Sequence, residues 1–513
     1  MQFSNDIKCD SEFGRGISFK DFLVRDGLNR KLIIFSCLLV LLQLLVFKYF
    51  YPYPAFINGD SYQYLLSATG NLKIDFYPIG YPKFLRLISV FSSSHTVVVS
   101  LQYMLMQFGT LFWVFSLFYF YRINRIIRIL LIVAVVLSPI QLYMANYISS
   151  DSLFYSVSIC WFATNLWVVN RFSWKVALIH AVLLVLAFSI RYNALYYPLV
   201  SCIALVVARG KVWLKLTAAG LIFMMLGVFV IWTSVQYKKL TGEMQFSAFS
   251  GWQMANNGMY AYRFVDSIDQ KPLPPKFKEL DYYVRSYFDS TRYYDLKYPE
   301  VMLDVNAFYM WSPISPLRMY MKNKFERDTV SSEFKKWSVV APLYKEYGMF
   351  LMKNYPKKFA TEYVWPNFIK YYAPPVEFLG MYGYKVDTVM SVVNTWFDFK
   401  EKKLNSRFKD YSVRTLESYP IICGTMNAVF IMMTISFFVL NGRNINKRLF
   451  ELWSIFFLFW ILNLGFSVFA SPIALRFQIF PLVVYTSASF LMLSFVLDQA
   501  KNVEQNTGGR VVL

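Results

Sequence analysis

The chain has 513 residues, is 57% hydrophobic and 16% charged, and carries a formal net charge of +21, with a mean hydropathy of +0.38. A soluble protein of this size needs more polar surface, whereas uninterrupted apolar runs of roughly 20 residues have the length of bilayer-spanning helices. The positive excess is spread over the connections instead of forming one soluble basic module. It therefore reads as a topology signal and an attraction to anionic headgroups, and no nucleic acid is expected as a partner.

Residues 1–30 form a polar, cytoplasmic amphipathic tail in which Gly16–Leu28 reads as a short helix on the inner membrane surface. Lys31–Phe50 is too long for a signal-peptide core and no small-residue cleavage site follows it, so it is expected to stay as span one. Residues 51–94 make an external loop rich in aromatics and prolines. Spans two to seven are expected at His95–Tyr121, Ile129–Ile148 (kinked at Pro139), Leu153–Val169, Val176–Ile190, Ala194–Ala208 and Leu216–Val235, completing a seven-span module over residues 31–236. In residues 237–418, charges of both signs, tyrosines and proline breaks replace the apolar runs. No sustained strand alternation is present. Ser332–Asn354 and Lys358–Tyr371, the latter kinked at Pro366, read as helices of a mostly helical external domain of about 180 residues, an ordinary domain size. Tyr419–Leu440, Leu449–Ala470 and Ile473–Leu497 are spans eight to ten within 419–497, and 498–513 is a short polar tail. The expected fold is an all-α polytopic membrane protein with about ten transmembrane helices.

Basic residues recur after spans two, four, six and eight: Arg122, Arg125 and Arg128; Arg171 and Lys175; Arg209, Lys211 and Lys215; Arg443, Lys447 and Arg448. All fall on the side of the N-terminal basic cluster. The positive-inside rule makes that side the cytoplasm. Both termini are then cytoplasmic, and the 51–94 loop, Asp151, Arg191, the 237–418 segment and the Ser471–Arg476 turn lie outside. The Phe-, Tyr- and Lys-rich composition fits a bacterial inner membrane, with these parts on its periplasmic face. Four of the five cysteines (Cys37, Cys160, Cys202, Cys423) lie in apolar runs, Cys9 is in the tail, and no CxxC pair exists, so neither a disulfide framework nor a zinc site is supported. His95 and His180 are the only histidines, which argues against a histidine metal centre or triad.

Asp60, Asp151, Arg191 and Arg476 sit at the outer ends of spans. Each has an ordinary explanation. Asp60, in Gly59-Asp60-Ser61, and Asp151, in Ser149-Ser150-Asp151-Ser152, suit helix N-caps. The arginines can snorkel to headgroups. As a set on one face they are harder to explain, because guanidinium groups pair with phosphate and an aspartate suits a general base.

Four stretches resemble the GT-C superfamily of membrane glycosyltransferases, which includes protein O-mannosyltransferases and bacterial aminoarabinose transferases. They are Gly59-Asp60-Ser61 with Tyr64, the Tyr77-Pro78-Ile79-Gly80-Tyr81-Pro82 stretch running to Leu87, Ser149–Phe154, and Ala474-Leu475-Arg476-Phe477 with Pro481-Leu482. The likeness covers spans one to seven and the last span, and covers 237–418 poorly. It implies a sugar donor on a polyprenyl phosphate or diphosphate, a glycan, lipid or protein acceptor, and a catalytic aspartate, Asp60. On this reading Asp151 assists catalysis, and Arg191, Arg476, Lys83 and Arg86 hold the donor phosphate. Tyr64 and Tyr81, with Gln253, Asn256 and Asn257 at the start of the external domain, are candidates for sugar or acceptor contacts. The amides have a second reading, as part of an amphipathic surface helix. Metal-using members carry more acids near these positions than Asp60 and Asp75, so no metal or other cofactor is assigned. Two other functions stay open: a polysaccharide polymerase or ligase, and a transporter or flippase of lipid-linked saccharide. The latter calls for inverted repeats and charges near mid-membrane.

Overall fold

The computed structural model describes residues 16–57, 59–297, 305–382, 388–399, 404, 406–407, 412–470 and 472–506, with 294–296 and 503–506 as backbone only. Residues 1–15 of the tail, including Cys9, together with Ser471 and the end of the C-terminal tail, lie outside the described residues.

Among the described residues the architecture is helical, and its β contacts are two isolated bridges, Ala55–Tyr147 and Met381–Ser412. The first half contains α1 (Phe19–Arg25), α2 (Gly27–Phe50), α3 (Asp60–Thr69), α4 (Gly80–Ser89), α5 (His95–Phe120), α6 (Arg125–Val136), α7 (Ile140–Asn146), α8 (Ser150–Asn170), α9 (Trp174–Ile190), α10 (Tyr197–Val207) and α11 (Val212–Thr241). The middle holds α12 (Ala248–Tyr262), α13 (Lys278–Lys297), α14 (Phe308–Trp311), α15 (Pro316–Lys324), α16 (Glu333–Asn354), α17 (Pro356–Phe359), α18 (Trp365–Tyr372) and α19 (Ser391–Phe397). The last part is α20 (Tyr419–Val439), α21 (Gly442–Ile445), α22 (Lys447–Phe469) and α23 (Leu475–Asn506).

Among the described residues, eight helical stretches are long and apolar enough to cross a membrane: Gly27–Phe50, His95–Phe120, Arg125–Asn146, Ser150–Asn170, Val212–Thr241, Arg414–Val439, Lys447–Phe469 and Leu475–Asn502. The spans expected at Val176–Ile190 and Ala194–Ala208 fall on two shorter apolar helices, Trp174–Ile190 and Tyr192–Val207. The chain breaks between them at Arg191, whose backbone is extended. α8 and α23 run through the centre of the bundle, while α2, α11 and α20 are mostly uncovered. Leu38, Leu45, Val228, Ile231, Ile421 and Met432 stay exposed there, an apolar surface that lipid solvates.

Local chemistry sets the ends of these helices. The side chains of Asp26, Asn124, Ser149, Ser173 and Asn446 each accept from an N–H of the first turn. The expected third span is two helices, because Pro139 lacks the N–H that would continue α6 and instead opens α7. The short helix expected within Gly16–Leu28 is present over narrower bounds. α1 ends at Arg25, Asp26 starts α2, and Phe19 packs edge-on against Phe112, Tyr119 and Trp167 of the bundle.

In the middle segment α16 starts at Glu333 under a Ser332 cap and ends at Asn354 before Pro356. The helix expected at Lys358–Tyr371 begins earlier, at Pro356. Its irregularity is a π turn over Ala360–Val364, just ahead of Pro366. α12 packs along α16 at near-backbone distance: a Cβ on Gly251 would collide with the Ala341 carbonyl, and one on Gly348 with that of Met254. Trp252 and Trp337 stack beside this contact and centre a second apolar core.

Candidate functional site: a buried carboxylate–arginine cluster

The chain after α2 is pinned to the chain before α8. Ala55 N–H donates to the Asn146 carbonyl at 2.9 Å, and Ile148 N–H donates to the Ala55 carbonyl at 3.0 Å. This pairing sets the starts of α3 and α8 side by side. Gly59 turns the chain at φ +88°, a conformation that side chains disfavour, so that Asp60 becomes the first residue of α3. Gly80 lets α4 abut the end of α9, since a Cβ there would lie 2.7 Å from the Ser189 carbonyl oxygen. That close approach brings Tyr77 and Arg191 to the same place. From the middle segment, the Pro375 carbonyl accepts the Leu475 N–H at 2.9 Å, which delivers Glu377 to the first turn of α23.

Four charged side chains then form one network. Arg476 Nη1 lies 3.2 Å from Asp60 Oδ2 and 3.2 Å from Asp151 Oδ2. Arg191 Nη1 pairs with Asp151 Oδ1. Tyr77 Oη donates to Asp60 Oδ1 at 2.7 Å, and Ser149 Oγ donates to Asp151 Oδ2 at 2.9 Å. Glu377 stands 3.9 Å from Arg476 Nε. The Phe477 ring lies 4.3 Å from the Arg191 guanidinium and 4.5 Å from that of Arg476, and Phe378 lies 5.2 Å from the latter. The side chain of Asp151 is 3% exposed and that of Asp60 is 22% exposed, so of the two aspartates Asp60 is the one a substrate can reach. Burial and the adjacent Asp60 carboxylate hold the Tyr77 phenol well above its ordinary pKa, which keeps it a hydrogen-bond donor.

The ordinary explanations of these four residues are replaced. The cap position of α3 is Gly59 and makes no side-chain bond. The cap of α8 is Ser149, not Asp151. Neither arginine reaches outward alone, because each is paired with a carboxylate. Charges removed from water are costly unless paired, and losing one partner of such a pair costs about 3–5 kcal/mol.

Other candidates lie elsewhere. Lys83 Nζ bonds the Asn71 side chain at 2.6 Å, and Arg86 Nη1 bonds the Ala68 carbonyl at 3.3 Å. Both hold the far end of α3 and are not part of the charged network. Tyr64 borders the network, sharing a 2.9 Å hydrogen bond with Ser150 Oγ. Tyr81 is buried and donates to Gln102 Oε1 at 2.7 Å, a packing role that leaves no room for a sugar. Asn256 and Asn257 are buried, which also corrects the surface-helix reading of α12. Asn257 donates to the Phe469 carbonyl, Gln253 to that of Ala470 and Asn256 to that of Asn306. Asp75 turns to Gln63, which donates to its two oxygens at 2.9 and 2.7 Å. Burial raises the pKa of this carboxyl. Among the described residues, no three His, Cys, Asp or Glu side chains are grouped as a metal would require.

Two members of the site carried no assignment from sequence. Tyr77 stood inside the Tyr-Pro-Ile-Gly-Tyr-Pro stretch, whose first tyrosine and glycine both act here. Glu377 follows the Pro374-Pro375 turn and has a left-handed backbone at φ 48°, which is uncommon for a residue with a side chain and recurs at functional sites.

The fold and its eight membrane-length helices define an all-α, multi-pass membrane protein. No protein-family model, curated protein or solved structure matches the chain.

Proposed function

We propose that this protein is a GT-C-type integral membrane glycosyltransferase that moves a sugar from a polyprenyl phosphate or diphosphate to an acceptor hydroxyl. The observation that carries this reading is the convergence of Asp60 and Asp151 with Arg191 and Arg476 at one end of the bundle. Ten spans then cross a bacterial inner membrane, with both termini cytoplasmic and the site, together with the 237–418 domain, on the periplasmic face.

The chemistry follows from the pairings. A donor phosphate competes with Asp60 for Arg476, whose Nη1 already bridges two carboxylates. As the guanidinium turns to the phosphate, the Asp60 carboxylate is released to take the acceptor's proton. The acceptor oxygen bonds to the anomeric carbon. The bond from that carbon to the phosphate oxygen breaks, and its electron pair leaves on the phosphate. Arg476 and Arg191 stabilise that charge. Direct displacement inverts the anomeric centre. Asp151 holds both arginines in place during the exchange. The acceptor is a glycan, lipid or protein hydroxyl.

The break between α6 and α7 favours a second reading, transport of a lipid-linked saccharide, because transporters use discontinuous helices. The charges at helix ends weigh against it. The test is sugar transfer by purified protein from a panel of synthetic polyprenyl-phosphate sugars, with Asp60→Asn beside the wild type. Transfer by the wild type and its loss in the variant support the proposal. Equal turnover sinks the base assignment. Movement of the donor across a vesicle membrane without transfer selects the second reading.

A further inference from the structure

At the opposite end of the bundle a cavity of about 820 Å³ opens between α5, α6, α22 and α23. Five cations line it, Arg122, Arg125, Arg128, Arg448 and Lys501, against a single carboxylate, Asp498. Its apolar wall includes Phe120, Leu491 and Phe495, so it is an apolar slot with a basic rim.

The wall is built, not a chance gap between loops. Asn124 N–H donates to Ser494 Oγ at 2.9 Å, tying the α5–α6 connection to α23, while its side chain caps α6. Arg128 is buried, with its Nε on the Ile123 carbonyl at 3.0 Å and its guanidinium 5.5 Å from the Phe118 ring centre. Arg448 is anchored by the Asn170 side chain at 3.0 Å. Arg122, Arg125 and Lys501 are exposed at the rim.

Depth follows from two shared helices. Asn170 ends the helix whose first turn holds Asp151, about 29 Å away at the usual helical rise. Asp498 is about 33 Å along α23 from Arg476. A hydrocarbon core is about 30 Å thick. The basic cavity and the carboxylate–arginine cluster therefore sit one membrane thickness apart, and the cavity meets the headgroup layer of the other leaflet.

We infer that this cavity binds the phosphate of an anionic phospholipid, with the rim cations on the phosphodiester and the apolar wall against the glycerol and upper acyl chains. Basic pockets between helices at this level suit such headgroups, and guanidinium groups suit their phosphate. The shared chemistry is a phosphate anion, which a lipid or free phosphate can supply. The apolar wall favours the lipid. The inference does not depend on the transferase reading.

The test uses full-length purified protein in mild detergent, titrated with phosphatidylglycerol, phosphatidylcholine or inorganic phosphate. Retained lipid is read by native mass spectrometry and stability by thermal melting. Phosphatidylglycerol is expected to bind at least tenfold more tightly than phosphatidylcholine and to raise the melting temperature. The combined variant Arg122→Gln, Arg125→Gln and Lys501→Gln is expected to lose that preference at least tenfold while melting normally without lipid. Asp498→Asn is expected to tighten retention. Lys211→Gln with Lys215→Gln, which alters a basic connection that does not line the cavity, is expected to leave retention unchanged. Unchanged retention in the triple variant overturns the site, as does an equal loss from the Lys211/Lys215 variant. An equal rise with inorganic phosphate overturns the lipid assignment.

Discussion

Around Asp60 the hydrogen bonds run from side chain to side chain, whereas around Asn257 they run from side chain to backbone. Asp60, Asp151, Arg191, Arg476 and Tyr77 bond one another. Asn257, Gln253, Tyr363 and Asn367 instead donate to the carbonyls of Val468, Phe469 and Ala470. Those carbonyls end α22 and have no partner within their own helix. Any chain that buries a helix end must supply such donors, so Gln253 and Asn257 of α12 need no function beyond capping. No backbone group requires the charged network, and assembling it costs desolvation. A costly arrangement without a structural client is where chemistry is to be sought.

The largest expected effect separates the two regions at once. Asp60→Asn keeps the shape of the side chain and removes the proton acceptor. Transfer from the synthetic donor is expected to fall about 10³-fold, within the range of a lost general base. Thermal melting should report a folded protein. Arg476→Lys comes next. A lysine cannot bridge two carboxylates with a planar fork, so transfer is expected to drop about 100-fold, roughly 2.7 kcal/mol of transition-state stabilisation. Donor KM should rise as well. A variant that keeps the wild-type KM removes Arg476 from the phosphate contact.

The four charges could be found from sequence because Asp60, Asp151, Arg191 and Arg476 stand at the outer ends of spans, where the positive-inside bias does not place arginines and where aspartates and arginines together ask for a common explanation. Most spans were legible by length. Tyr77 was not singled out, since one tyrosine among 38 in a membrane chain defaults to an interface anchor. Glu377 lies in a segment where charges are ordinary, and only folding carries it to Arg476. Lys83 and Arg86 show the opposite error. They share a loop with Asp60, but α4 turns them to Asn71 and Ala68 at the far end of α3. The shortness of α9 and α10 was legible too, because the expected runs Val176–Ile190 and Ala194–Ala208 are themselves short and parted at Arg191.

Tyr77→Phe sharpens the contrast within the network. The phenol is held protonated and donates to Asp60 Oδ1 at 2.7 Å, so it fixes where that carboxylate points. Its removal is expected to slow transfer about 10-fold with donor KM unchanged, because the phenol touches the proposed base and not the phosphate contacts. Transfer at the wild-type rate would mean that Tyr77 only packs.

Asn257→Ala is expected to have the smallest effect on transfer, and it tests the other region. The substitution leaves the buried Phe469 carbonyl without the donor that reaches it at 2.8 Å from α12. An unsatisfied buried acceptor costs about 1–3 kcal/mol, but Tyr363 Oη also donates to this oxygen at 2.8 Å, so the lower end applies. Melting should therefore fall by a few degrees while transfer stays within about twofold. If Asn257→Ala instead raises the KM for donor or acceptor without changing melting, the amide contacts substrate. The division between a capping region and a chemical one would then be wrong on the capping side.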